Sequence, residues 1–252
     1  MQDPLPEPVH PTNVLQPLPL EDWPSFDHIV TEDGAPVDNV FSEKQMRLLT
    51  EPLYSSWKTD RPFVALANVG LFYGIDIPPL VPDVLLSINV RMPENLFPKL
   101  NRSYFVWKYG KPPEVVIEVV SNRQGREDTR KLELYADVRV ANYVIYDPER
   151  YLSEQVLRVY RLHGSNLVLD EARPCQFPDV DLGLTIWQGR FEETDSQWLR
   201  WTNNQHILIP TGCESALLEA QRADAATQRA EATMAENARL LELLRKHNIN
   251  AS

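Results

Sequence analysis

Cysteine is scarce in this chain: Cys175 and Cys213 are the only two among 252 residues, far apart and without metal-ligand spacing. That argues against a disulfide framework and for a reducing, cytoplasmic setting. Long apolar runs are lacking too. No stretch approaches the length needed to cross a bilayer, and the chain opens without a cationic, apolar leader. A soluble protein with no membrane partner is therefore expected. Net positive charge is also absent, since 25 Lys and Arg stand against 36 Asp and Glu for a formal charge of −11. This counts against generic adhesion to a phosphate backbone, which rests on neutralising phosphates with cations. None of His10, His28, His163, His206 and His247 has a partner at metal spacing.

What is present suits one globular domain with appendages: 43% hydrophobic and 24% charged residues, over a length that can bury a core without staples. Residues 1–29 read as a proline-rich arm, 30–190 as the folded domain, 191–212 as a polar and aromatic connection and 213–252 as a helical tail. Between 214 and 247 the composition shifts to Ala, Glu, Arg and Leu with neither Pro nor Gly, which predicts a long helix. Its leucines crowd the two ends and no strict heptad joins them. A homo-oligomer through this coiled-coil-like helix is one reading, but the repeat sets no oligomeric state. The charge is uneven: residues 91–135 hold nine Lys or Arg and six acids, locally basic in an acidic chain.

Periodicity orders the domain. Ser42 reads as an N-cap, and Met46, Leu49 and Leu53 predict a helix over 42–57 with a kink or break at Pro52. Strand-like runs follow over 63–73 and 80–90, then a loop over 91–102 and an aromatic strand over 103–107. Residues 113–122, PEVVIEVVSN, form the run about which the rest is organised: a β-branched strand closed by a Ser-Asn turn and apolar enough to be covered on both faces. A helix over 126–137 places Glu127, Lys131 and Tyr135 on one stripe. Residues 142–146 read as a strand stopped by Asp147-Pro148, and 156–170 as a hairpin about Gly164-Ser165. A last β-rich piece ends near Trp187. The order helix, strands, helix, strand predicts an α/β (α+β) fold, with a mixed sheet flanked by helices and containing a crossover.

Glu118 stands in the middle of the central strand, where a carboxylate is costly unless paired, protonated or metal-bound. Asp83, in the apolar segment 80–86, and Lys131, on the helix after the strand, are the groups that could answer that cost. Two carboxylates from neighbouring strands make a hard oxygen site suited to Mg²⁺, and a nearby ammonium can steady developing negative charge. This combination points to metal-dependent phosphodiester hydrolysis.

The same residues carry a resemblance. Pro82-Asp83, then Glu118 in a Val/Ile strand followed by Ser121, resembles the PD-(D/E)xK nuclease superfamily. More closely, the segments at 81–84, 113–121, 131–135 and 142–148 resemble the cyanobacterial type of the Uma-two family of restriction-endonuclease-like proteins, over about residues 30–190. The alanine-rich tail is similar to those of many cyanobacterial members. The likeness implies a restriction-endonuclease-like fold, Mg²⁺ (or Mn²⁺) as cofactor and DNA as substrate. It also implies Asp83 and Glu118 as metal ligands, with the carbonyl of Val119 completing the set. One departure is that Val120 stands where the pattern has lysine. Lys131 is the candidate for a migrated lysine, and Glu43 on the first helix for an additional acid.

Plainer readings stand beside these. Asp83 suits an Asx turn after Pro82, and Lys131 a surface pair with Glu127 or Asp128. Tyr135, Trp107 and Trp187 read as core, although an exposed tryptophan could stack on a base. At the level of function, the alternative to a metal-dependent endonuclease is a catalytically inactive nuclease-fold protein that binds or assembles through its terminal helix.

Overall fold

The computed structural model describes residues 39–74, 77–98, 101–121 and 129–246. The proline-rich arm over 1–29, the turn around Gly125, the start of the helix expected from Arg126, and His10, His28 and His247 lie outside them. In chain order the elements are α1 (Val40–Ser55), β1 (Phe63–Ala67), β2 (Leu71–Phe72), β3 (Val84–Ile88), β4 (Tyr104–Phe105), α2 (Val106–Tyr109), β5 (Val115–Val119) and α3 (Arg130–Val138). They continue with β6 (Asn142–Tyr146), β7 (Leu157–His163), β8 (Asn166–Leu169), β9 (Cys175–Phe177), β10 (Leu182–Phe191), β11 (Thr194–Asn203) and α4 (Gly212–Lys246).

Six strands make one mixed sheet in the order β1-β3-β5-β6-β7-β8. Neighbours run antiparallel except β5 and β6, which are parallel. Parallel neighbours need a crossover, and α3 supplies it. Both faces are covered, so β3, β5 and β6 are buried at every position. On one face α1 and the antiparallel sheet β11-β10-β9 pack on Leu86, Ile117 and Val144. On the other, α3 and the short parallel pair β2–β4 cover Leu85, Val116 and Ile145. Each aliphatic side chain buried in these layers contributes about 1.5–3 kcal/mol. The fold is α+β: a mixed sheet flanked by helices, with a long C-terminal helix. Among the described residues no helix is long and apolar enough to cross a membrane.

Several elements differ from the sequence expectation for local reasons. The side chain of Asn39, rather than Ser42, caps α1 by accepting from the Ser42 amide at 2.8 Å, and the helix runs through Pro52 without ending there. The run over 63–73 divides into β1 and β2 because Asn68 adopts a left-handed conformation (φ 53°), which Asn tolerates. The aromatic run at 103–107 yields only two strand residues before α2, which closes on Gly110 at φ 77°. Trp107, expected in the core, is half exposed.

The largest difference lies over 191–212, expected as a connection. These residues contain β11, which pairs with β10 along ten positions and buries Trp198, Leu199 and Trp201. The hairpin turns on Glu192-Glu193, both at positive φ, a geometry that usually announces itself with Asn-Gly. Lys44 donates to the Glu192 carbonyl at 2.8 Å and Arg47 pairs with its carboxylate, so α1 holds the turn. The buried Gln45 exchanges two hydrogen bonds with Leu199 as a strand neighbour would.

The start of α4 is tied to this layer while the rest of the helix is exposed. Thr211 Oγ1 accepts from the Glu214 amide (3.1 Å) and Glu214 Oε2 from the Thr211 amide (2.8 Å), a reciprocal capping box. The same carboxylate takes two hydrogen bonds from the buried guanidinium of Arg200, which lies 4.7 Å from the Trp187 ring centroid. Burial pushes the Glu214 carboxyl up, but the Arg200 and Thr211 donors outweigh it and hold the group below its ordinary value of 4.5. Glu214→Ala strands the Arg200 charge and is expected to cost about 2 kcal/mol in urea unfolding. That is less than a fully buried pair would lose, because the Glu214 side chain is 41% exposed. Arg200→Met, which removes the buried charge itself, costs less. A depressed folded-state value means stability present above the unfolded value and lost as pH falls through the folded one. The gap between wild type and Glu214→Ala is therefore full at neutral pH and closes in acid below about 4.5.

Candidate active site

Alternation along β5 turns Val115, Ile117 and Val119 toward the α1 layer and Val116 and Glu118 toward α3. Glu118 is thereby carried into the interior, at 2% exposure. Its oxygens are answered from α3. Lys131 Nζ donates to Oε2 at 3.0 Å, and the Tyr135 hydroxyl donates to Oε1 at 2.6 Å. Lys131 and Tyr135 are four residues apart, so one helix face presents both groups. Tyr135 is fully buried and packs on Tyr143, with ring centroids 4.8 Å apart. Burial first, then the charge of Glu118, raises its hydroxyl well above the ordinary 10, so it remains a donor throughout the neutral range.

Asp83 comes from the residue before β3. Val84 pairs with Ile117, and the next step of that ladder sets Asp83 beside Glu118. The contact is direct at the backbone: Asp83 Oδ2 accepts from the Val119 amide at 2.6 Å. The Asp83 charge also reaches Tyr135. Asp83, Glu118, Val119 and Lys131 thus come together from three elements. The alternative pairing of Lys131 with Glu127 or Asp128 involves residues outside those described. Val120, which stands where the pattern has lysine, is buried in the core, and the ammonium beside Glu118 is that of Lys131 on α3.

Glu43 does not join them. It sits on α1, which packs on the opposite face of the sheet, and pairs with Arg47. Asp147 ends β6 as expected, accepting from the amides of Tyr151 and Leu152.

Tyr135 is buried in the core as expected, and its hydroxyl also bonds to Glu118. One residue escaped the sequence reading. Arg158 lies on the same sheet row, since Glu118 pairs with Ile145 and Ile145 with Arg158. It is buried at 8% exposure. Leu157 and Val159 pack in the α1 layer, so alternation along β7 puts Arg158 on the opposite face.

The donors suit a hard divalent cation. Mg²⁺ is usually held through one or two carboxylates and keeps several waters. A carboxylate offers about four acceptor positions, of which Lys131 and Tyr135 occupy two on Glu118. Among the described residues no group of three or more His, Cys, Asp or Glu gathers at metal-binding distance.

Comparison with known proteins follows this geometry. No curated protein matches the chain. A solved structure from Anabaena variabilis ATCC 29413, described as "a putative nuclease belonging to DUF820", is 18% identical, covering 57% of this chain and 74% of its own with a TM-score of 0.40. Residues 35–202, which span β11 almost to its end, match the Uma2 family, described as "Putative restriction endonuclease". The chain belongs to the Uma2 family.

Proposed function

We propose that this protein is a metal-dependent DNA endonuclease that hydrolyses phosphodiester bonds at Asp83, Glu118 and Lys131. The observation that carries the reading is a buried carboxylate on the central strand, bonded to an ammonium and adjoining a second acid. A structural ion pair needs no second acid beside it, and such pairs are often no better for stability than apolar residues of similar size. Family membership supports a nuclease acting on nucleic acid.

Asp83, Glu118 and the Val119 carbonyl would hold Mg²⁺ or Mn²⁺. When bound, the cation polarises a phosphoryl oxygen and lowers the pKa of water. Lys131 steadies the negative charge that grows on the phosphoryl oxygens, in surroundings drier than bulk water. Arg158 adds positive charge on the same face. Tyr135 is a positioning residue: it fixes the Glu118 carboxylate and touches no reacting atom.

A second reading rests on α4, 35 residues long with no buried position and with Leu217, Leu240 and Leu241 exposed. On that reading the nuclease fold assembles through its tail and performs no chemistry.

Supercoiled plasmid with Mg²⁺ or Mn²⁺ separates the two. Wild type is expected to nick it, Asp83→Ala and Glu118→Ala to fall to background, and Lys131→Ala to lose about 10²–10³-fold in rate. Nicking that survives both acid substitutions would falsify this site. Tyr135→Phe is expected to raise the Mn²⁺ concentration needed for half-maximal rate by about 10–100-fold. KM for DNA should stay unchanged; a loss of thermal stability with no change in metal requirement would reduce Tyr135 to packing.

A further inference from the structure

The face of the sheet that carries Glu118 extends into a segment unlike the rest of this acidic chain. Residues 91–111 contain Arg91, Lys99, Arg102, Lys108 and Lys111 against one acid, Glu94, whereas the whole chain carries a net charge of −11. The segment is firmly seated through Tyr104, which is fully buried. Its hydroxyl bonds to Ser87 Oγ (2.9 Å) and the Lys111 carbonyl (3.0 Å), and its ring stacks on Tyr109 at 4.5 Å. From this anchor aromatic rings run outward. Phe72 and Phe105 stack at 4.8 Å, and Trp107 lies 5.1 Å beyond Phe105. Trp107 is 50% exposed.

Two of the cations are tied to this segment. Arg102 Nε donates to the Phe97 carbonyl at 2.8 Å, one of the five N–H donors of its fork. Lys108 reaches Asn101 Oδ1 at 2.5 Å and lies 5.2 Å from the Tyr109 ring centroid. The platform is also close to the candidate site. Leu71 of β2 bridges Leu80 through two backbone hydrogen bonds, of 2.7 and 3.1 Å. Asp83 is three residues on from Leu80, a reach of at most about 11 Å.

A single exposed tryptophan is ordinary. One that ends a run of ring contacts, next to Lys108 in a locally cationic segment, fits a polyanion with flat, accessible rings. In duplex DNA the base faces are stacked on one another, whereas in an unpaired strand they can stack on an aromatic side chain. We infer that the surface carrying Arg102, Trp107 and Lys108 is a docking site for unpaired DNA, with Trp107 stacking on a base and Arg102 and Lys108 taking phosphates. The choice of occupant rests on the nuclease reading above, but the binding requires no cleavage.

The test is fluorescence anisotropy of labelled oligothymidine and of a blunt duplex of equal length, with the full chain in EDTA. Wild type is expected to prefer the single strand. Trp107→Ala should weaken that binding about tenfold while Trp107→Phe keeps most of it. Arg102→Gln with Lys108→Gln should reduce the slope of log K against log salt by about 1.4, two single-strand phosphate contacts. Unchanged binding by Trp107→Ala, a preference for duplex, or binding to anionic lipid vesicles but not oligothymidine would each overturn the proposal. If nicking survives the loss of both acids while Trp107→Ala still weakens binding, only the catalytic reading falls. If nicking needs the acids and Trp107→Ala binds as wild type, only this surface falls.

Discussion

The Glu118 carboxylate, closed inside the sheet and held by the Lys131 ammonium and the Tyr135 hydroxyl, is the interaction on which this structure turns. Left alone, a charge at that depth would be intolerable. Its retention demands a particular arrangement: β5 in the middle of the sheet, α3 crossing on the side that Glu118 faces, and Lys131 and Tyr135 on the inward stripe of that helix. The parallel pairing of β5 with β6 follows from the same crossover. One local pairing is thus bound up with the topology.

The opposite face does different work. There α1 and the β9–β11 sheet supply a core to which Trp198 and Trp201 contribute, and polar groups such as Gln45 are satisfied by backbone rather than by other charges. Arg200, the buried guanidinium of that layer, meets its counter-charge at the start of α4, so the long helix leaves the domain from a fixed point.

Much of this was legible in the sequence, for physical reasons. Runs such as 115–119 and 142–146 are too apolar for anything but strands covered on both sides, and they occupy those places. Glu118 stood out because burial makes carboxylates costly, and the i, i+4 stripe set Lys131 at the core-facing border of its helix. What was missed lacked a local signal. Nothing in Glu192-Glu193 announces a turn with positive φ, so β11 read as a connection. Asn68 broke a run whose β-propensity suggested continuity. Trp107 was placed in the core on hydrophobicity alone, although the one-turn helix that carries it turns its ring outward. Arg158 needed the sheet order, which no short-range pattern contains.

The most direct test of the Glu118 assignment is a crystal soaked in Mn²⁺, with data collected at a wavelength where manganese scatters anomalously. The account predicts one anomalous peak within bonding distance of both the Asp83 and Glu118 carboxylates, lost in Glu118→Ala. A peak elsewhere, or one that persists in that variant, would contradict it.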